Sequence, residues 1–199
     1  MRQSARVVLV ALCAGALGVA ASLSTSGSGP LLRTEAGQRL LGRWFAATAP
    51  KPPDGVQVAE RGDRVPALRL AALDGGSAGI PADFAGRPLL VNLWASWCGP
   101  CVEEMPELQR YARAQGGNGT QVVGIALDDA AAVRAFLQRV PVGYRILLDA
   151  PGPADAGVRL GNPKGVLPYS ILVSADGRLL KQKIGPFGPG EISEWAAVE

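Results

Sequence analysis

Apolar positions in this chain fall into short blocks set apart by turns rich in glycine, proline and aspartate, and the blocks alternate between two periods. Residues 89–94, Leu-Leu-Val-Asn-Leu-Trp, form a nearly continuous apolar run suited to a strand buried on both faces. Residues 68–73, 122–127 and 144–148 read as further short strands, and residues 99–115 and 130–139 as helices between them. Strands joined through helices imply a parallel core. Nearer the C-terminus, residues 169–173 and 178–183 flank Ser174-Ala175-Asp176-Gly177, a hairpin signal that predicts an antiparallel edge. A last short helix is expected over 189–198. Pro106 falls about two turns into the first of these helices, where its ring removes a hydrogen bond to the Val102 carbonyl. Either it ends the helix, or the helix bends there and continues. Leu108, Tyr111 and Ala112 favour the second.

The amino-terminal third follows another pattern. Residues 7–23 are an unbroken apolar and small-residue run, preceded by Arg2 and Arg6 and followed by a Ser/Gly-rich stretch over 24–29. Two readings stay open. The run is at the short limit for a spanning helix and would serve as an anchor, with the arginines keeping the N-terminus cytoplasmic. Alternatively, Val19-Ala20-Ala21 before Ser22 is a cleavage site and the domain is released as a soluble periplasmic protein. Residues 24–61 read as a tether that Pro50-Lys51-Pro52-Pro53-Asp54-Gly55 keeps from being helical throughout. Within it, Leu40, Leu41, Trp44 and Phe45 recur at helical spacing among Arg39 and Arg43. That stripe suits a short amphipathic helix, lying on a membrane surface or packed on the domain that follows over residues 62–199.

With 199 residues, 48% hydrophobic and 19% charged, the chain holds one mid-sized domain and an appendage. Two units of its formal charge of +3 come from Arg2 and Arg6, so no basic patch argues for nucleic acid. The chemistry lies in Trp97-Cys98-Gly99-Pro100-Cys101, which sets two thiols one helical turn apart directly behind a strand. Gly99 and Pro100 fit a first helical turn, whose free N–H groups and dipole favour a thiolate at Cys98. Cys98 is then the nucleophile, and the more shielded Cys101 attacks the mixed disulfide. A structural zinc site is the bland alternative, but there is no histidine, and the third cysteine, Cys13, lies in the N-terminal apolar run. Leu12 before Cys13 is too bulky for lipoprotein processing, so Cys13 reads as an apolar filler. An inert bridge closing so short a loop would constrain the unfolded chain little. No metal or cofactor is expected.

The run Val91-Asn92-Leu93-Trp94-Ala95-Ser96-Trp97-Cys98-Gly99-Pro100-Cys101, with Glu104 and Pro106 behind it, resembles the thioredoxin superfamily, and within it the TlpA/ResA-like membrane-tethered disulfide reductases. Gly165-Val166-Leu167-Pro168-Tyr169-Ser170-Ile171-Leu172-Val173 with Asp176-Gly177 is similar to the family's cis-proline strand and following hairpin. The resemblance implies an α/β thioredoxin-like fold, with a mixed central sheet flanked by helices and an N-terminal β-hairpin extension. It implies that Pro168 is cis and faces the disulfide, with the Leu167 backbone offered to an extended substrate. Trp97, Gly99, Pro100 and Tyr169, with Trp94, would complete the walls, although an aromatic next to a buried strand is as often plain core. Thioredoxin itself uses an aspartate on the preceding strand as proton acceptor for the buried thiol, and this chain has Asn92 there. TlpA/ResA-like proteins carry a glutamate at the position of Glu104, which lies three residues beyond Cys101 on the same helical face, whereas Glu103 is turned away. Glu104 is thereby expected to tune the protonation of Cys101, provided that it is shielded.

The function implied is an extracytoplasmic thiol–disulfide oxidoreductase that reduces protein disulfides, with apocytochrome c cysteines among the candidate clients. A membrane disulfide-electron carrier would re-reduce it on the periplasmic side of the inner membrane. Two other classes remain at this point. One is a peroxiredoxin-like thiol peroxidase, separable by peroxide turnover. The other is a non-catalytic copper-handling or protein-binding module, separable by metal capture without disulfide reduction.

Overall fold

The computed structural model describes residues 34–198. The N-terminal run, with its anchor or cleavage site, Cys13 and the start of the tether lie outside the described residues. Two compact units divide between Leu41 and Gly42. Helix α1, Glu35–Thr48, crosses that boundary. Among the described residues, no helix is long and apolar enough to cross a membrane.

Beyond α1 the strands are β1 (Leu68–Ala72), β2 (Ser77–Ile80), β3 (Leu89–Trp94), β4 (Gln121–Leu127), β5 (Arg145–Asp149), β6 (Tyr169–Val173) and β7 (Leu179–Ile184). They form one seven-stranded sheet in the order β2-β1-β5-β4-β3-β6-β7. Its centre, β3, β4 and β5, is parallel. At one side β6 runs antiparallel to β3 and β7 antiparallel to β6; at the other, β1 pairs antiparallel with both β5 and β2. The expected parallel core with an antiparallel edge is present, in an α/β arrangement with one mixed sheet.

Every residue of β3 is buried, as its apolar run requires. Its side chains alternate between two cores, one on each side of the sheet. Leu89, Val91 and Leu93 enter the first with Ala59, Ala156 and Leu160, whereas Leu90 and Trp94 enter the second. Helix α2 (Gly99–Ala114) covers the second core with Cys101, Met105, Leu108 and Tyr111. Helices α3 (Ala130–Leu137) and α5 (Glu191–Trp195) lie on that face too, through Val133, Phe136 and Ile192. On the opposite face sits the short α4 (Ala156–Arg159), capped by the Asp155 carboxylate.

Helix α2 continues through Pro106 rather than ending there. Two elements were not legible in the sequence. The four residues of β2 include a glycine and an alanine, and α4 is a single turn, too short for any periodicity. The compact unit also starts earlier than residue 62. Ala59, at the end of the expected tether, is 4% exposed in the first core, and its amide donates to the Arg159 carbonyl. The stripe on α1 leaves Leu40 and Trp44 exposed, while the Lys164 ammonium lies 4.6 Å from the Trp44 ring centroid and 5.1 Å from that of Phe45.

Candidate active site

Strand β3 delivers the chain at Trp94 into a tight loop. There the Cys98 amide donates to the Ala95 carbonyl, and Cys98, in extended backbone, becomes the N-cap of α2 with Pro100 in the first turn. Asp128, just after β4, steadies this loop by accepting from the Ser96 amide at 2.9 Å and hydroxyl at 2.6 Å. Partial burial pushes the Asp128 carboxyl up, but the bonds from Ser96 and the Asp129 amide outweigh it and hold the group below its usual range.

Cys98 and Cys101 are joined by a disulfide, with Cα atoms 5.3 Å apart. Cys98 is 6% exposed, and Cys101 is fully buried. Gly99 and Pro100 are open to solvent, and Trp97, 70% exposed, stands beside them. The pairing of Leu93 with Tyr169 puts the start of β6 next to the end of β3 and so brings the Leu167–Pro168 bond to the same end of the sheet. That bond is cis. Leu167 and Trp97 line one groove, completed by Pro50, Pro52, Pro151 and Pro153. The tether prolines in this wall carried no sequence signal beyond that of a helix breaker.

Of the two readings open for Trp94 and Tyr169, site wall or core, both side chains take the core one. Tyr169 is 1% exposed; its hydroxyl donates to the Leu160 carbonyl and accepts from Gln182 Nε2. Trp94 is fully buried against Phe136, ring centroids 5.4 Å apart. Both lie on buried strand residues where every second side chain must face a core, so neither reaches the groove.

Behind the disulfide lies a polar assembly. Glu104 is 2% exposed, and Glu103 faces solvent. Glu104 Oε1 accepts from Asn92 Nδ2 at 2.8 Å, and Glu104 Oε2 accepts from the Phe187 amide at 2.8 Å. Asn92 Nδ2 also donates to Ser170 Oγ at 3.0 Å. Burial raises the Glu104 carboxyl from 4.5 to about 7, against the opposing effects of the Phe187 amide, the Asn92 amide and the Lys183 charge. A carboxyl at that value is divided between its two forms at neutral pH. Asn92, Ser170 and Lys183 make one cross-strand row over β3, β6 and β7, since Asn92 pairs with Ser170 and Ser170 with Lys183.

Lys183, Ser170, Phe187 and Glu191 were missed from the sequence. A period-two reading of β7 would put Leu179, Lys181 and Lys183 on one face, but the register shifts between Leu172 and Val173, so Leu179 serves the opposite core. Among the described residues no cluster of three or more His, Cys, Asp or Glu side chains is placed to hold a metal ion.

Residues 60–198 match the family model described as Redoxin. The chain is 31% identical over 150 residues to the thiol:disulfide interchange protein HelX of Rhodobacter capsulatus, covering 73% of this chain and 80% of that one. With the sporulation thiol-disulfide oxidoreductase A of Bacillus subtilis it shares 27% identity over 148 residues, 72% of this chain and 86% of the other. A solved thiol-disulfide oxidoreductase from Bacteroides fragilis superposes with a TM-score of 0.57 at 28% identity, over 67% of this chain and 99% of that one. A disulfide between residues three apart at a helix start, in a chain with these relatives, makes the protein a member of the Redoxin family and a thiol–disulfide oxidoreductase.

Proposed function

We propose that this protein works as a reductant of protein disulfides outside the cytoplasm. The observation that carries the reading is the unequal shielding of its two sulfurs, with a buried carboxyl one helical turn behind the deeper one. In the dithiol form, the Cys98 thiolate attacks a client sulfur; the Cys98–client bond forms, the client disulfide breaks, and one client thiol leaves with a proton. Glu104 in its ionised form takes the proton of Cys101. The Cys101 sulfur then attacks Cys98, the Cys98–client bond breaks, the second client sulfur leaves as a thiolate that takes up the proton Glu104 gives back through water, and the bridge seen here closes. Two electrons and two protons pass to the client, and a membrane dithiol carrier returns them to the Cys98–Cys101 pair.

Trp97 and Leu167 are the client's first contacts in this scheme, with Gly99 and Pro100 forming the open approach to Cys98 and Pro168 positioning the strand beside it. The Gly-Pro pair between the cysteines matches that of thioredoxin, a reductant, which supports this direction of transfer. Apocytochrome c cysteines are the client class that the TlpA/ResA-like resemblance supplies, and the apolar run in the N-terminal sequence supports a periplasmic location, anchored or released.

Cys101→Ser in the full chain tests the reading, because it leaves Cys98 able to attack and removes the sulfur that resolves the product. The expected result is accumulation of protein mixed disulfides on Cys98 that dithiothreitol releases. A variant that captures no protein, while wild type fails to reduce insulin disulfides, overturns it.

A further inference from the structure

Lys183 is 2% exposed, and its ammonium sits 2.7 Å from Glu191 Oε1 and 5.3 Å from the Phe187 ring centroid. A buried lysine–glutamate pair is a poor source of stability, because desolvating two ions offsets most of their attraction and apolar residues of like size would serve as well. Its position is more informative. Lys183 ends the row that begins at Asn92 and runs through Ser170, and Asn92 is the residue that holds Glu104 Oε1.

The segment after β7 closes the arrangement from the other side. Two consecutive amides donate to two different carboxylates: Phe187 N–H to Glu104 Oε2 at 2.8 Å, and Gly188 N–H to Glu191 Oε2 at 2.7 Å. Glu104 and Glu191 are thus held on adjacent peptide units, with the Lys183 ammonium bonded to the second. Glu191 is 21% exposed and keeps contact with water, whereas Lys183 and Glu104 do not.

We propose that the Lys183–Glu191 pair is a positioning device that sets the charge state of Glu104, and through it the proton balance of Cys101. The second half rests on the role given to Glu104 above. The groups that bear on Glu104 are Asn92 from β3, Lys183 from β7, the Phe187 amide from the following loop, Glu191 from α5 and Tyr144 from the segment before β5. Of these, Lys183 alone is a cation. The ammonium favours the Glu104 carboxylate and Glu191 opposes it, so two partners of one ion pair act on Glu104 with opposite sign.

That opposition separates the proposal from a purely structural pin between β7 and α5, whose loss from either side would leave the titration unmoved. The measurement is the titration midpoint of the Glu104 carboxyl, followed by carbon NMR in the full-length oxidised protein. Lys183→Met is expected to raise the midpoint by on the order of one pH unit and Glu191→Gln to lower it, with Lys183→Arg close to wild type. Should Glu191→Gln fail to fold with a lone buried ammonium, Lys183→Met against Lys183→Met/Glu191→Gln isolates the same effect, the double variant titrating lower. Midpoints that stay in place, or move in one direction for both partners, overturn the proposal. The link to the thiol is read separately, from the pH dependence of Cys101 alkylation in the reduced protein. If Glu104 shifts as stated and Cys101 does not follow, the role of Glu104 falls while its setting by the ion pair stands.

Discussion

Replacing Glu104 by glutamine should make the protein more stable at alkaline pH while leaving it nearly unchanged in acid. The wild-type carboxyl titrates near 4.5 when the chain is unfolded and near 7 when it is buried. Between those values the folded state binds a proton that the unfolded state has lost, so stability falls as pH rises. Each pKa unit is worth somewhat over ~1 kcal/mol, which puts the full loss, reached just above the folded midpoint, at about 3 kcal/mol. Against a typical total of roughly 5–15 kcal/mol this is a large share. Glutamine carries no such penalty. Its oxygen can accept from the Phe187 amide, and its NH2 group can face Asn92, whose Oδ1 is buried without a partner and turns toward it on a flip of the Asn92 amide. The assay is urea unfolding of both proteins in the oxidised form, at fixed ionic strength, from about pH 4.5 to about pH 8. The gap should widen in favour of the glutamine variant by about 2 to 3 kcal/mol across that range. A gap that stays constant to within roughly 0.5 kcal/mol would show that Glu104 is not carried into the fold as a raised acid, and the proton-acceptor step would lose its physical basis.

Two further outcomes follow from the groove and the core. Trp97→Ala removes an aromatic that is 70% exposed beside Cys98, so KM for a peptide disulfide should rise roughly ten-fold with little change in unfolding midpoint. Turnover of a small disulfide such as oxidised glutathione should be unaffected, and an equal loss on both substrates refutes a binding role. Gly161→Ala should destabilise by about 2 kcal/mol or more: the residue has φ +96°, and a Cβ there would lie 2.7 Å from the Ala59 carbonyl oxygen and 3.1 Å from the Tyr169 hydroxyl. Chemical denaturation of the variant measures it, and a wild-type midpoint would mean that residues 59 and 161 are not packed as described.

How much of this was legible beforehand differs between the framework and the site. The buried strand Leu89–Trp94 and the helix from Gly99 were readable because both are local patterns, an apolar run and a Gly-Pro first turn with heptad-like apolar spacing after it. Helix α2 passing through Pro106 was readable for the same reason, since Leu108 and Tyr111 keep the apolar face going. Tyr169 fits either a site wall or the core by its sequence position, and the hydroxyl bonds to Leu160 and Gln182 keep it inside. Pro50 and Pro52 read as breakers, and nothing in their own composition says that a groove lined by Trp97, Pro151, Pro153 and Leu167 takes them as a wall.

Glu104 shows where local reading stops. Its spacing from Cys101 is a helical fact and visible in the sequence, but its ability to hold a proton near neutral pH comes from burial in the folded chain, which outweighs the opposing hydrogen bonds from partners 12 and 83 residues away, Asn92 and the Phe187 amide. Lys183 joins the same assembly only because β6 and β7 are in the register that pairs it with Ser170, after a shift that no pattern of hydrophobic positions announces. The cysteine motif alone therefore specifies a bond that can open and close, while, on the role proposed for Glu104, the energy of moving its proton also depends on β3, β7 and α5. On that argument, transplanting the Cys98–Cys101 motif into another thioredoxin-like scaffold carries over the exchange chemistry but not its pH dependence, because the groups that set the latter are spread over three elements the motif does not contain.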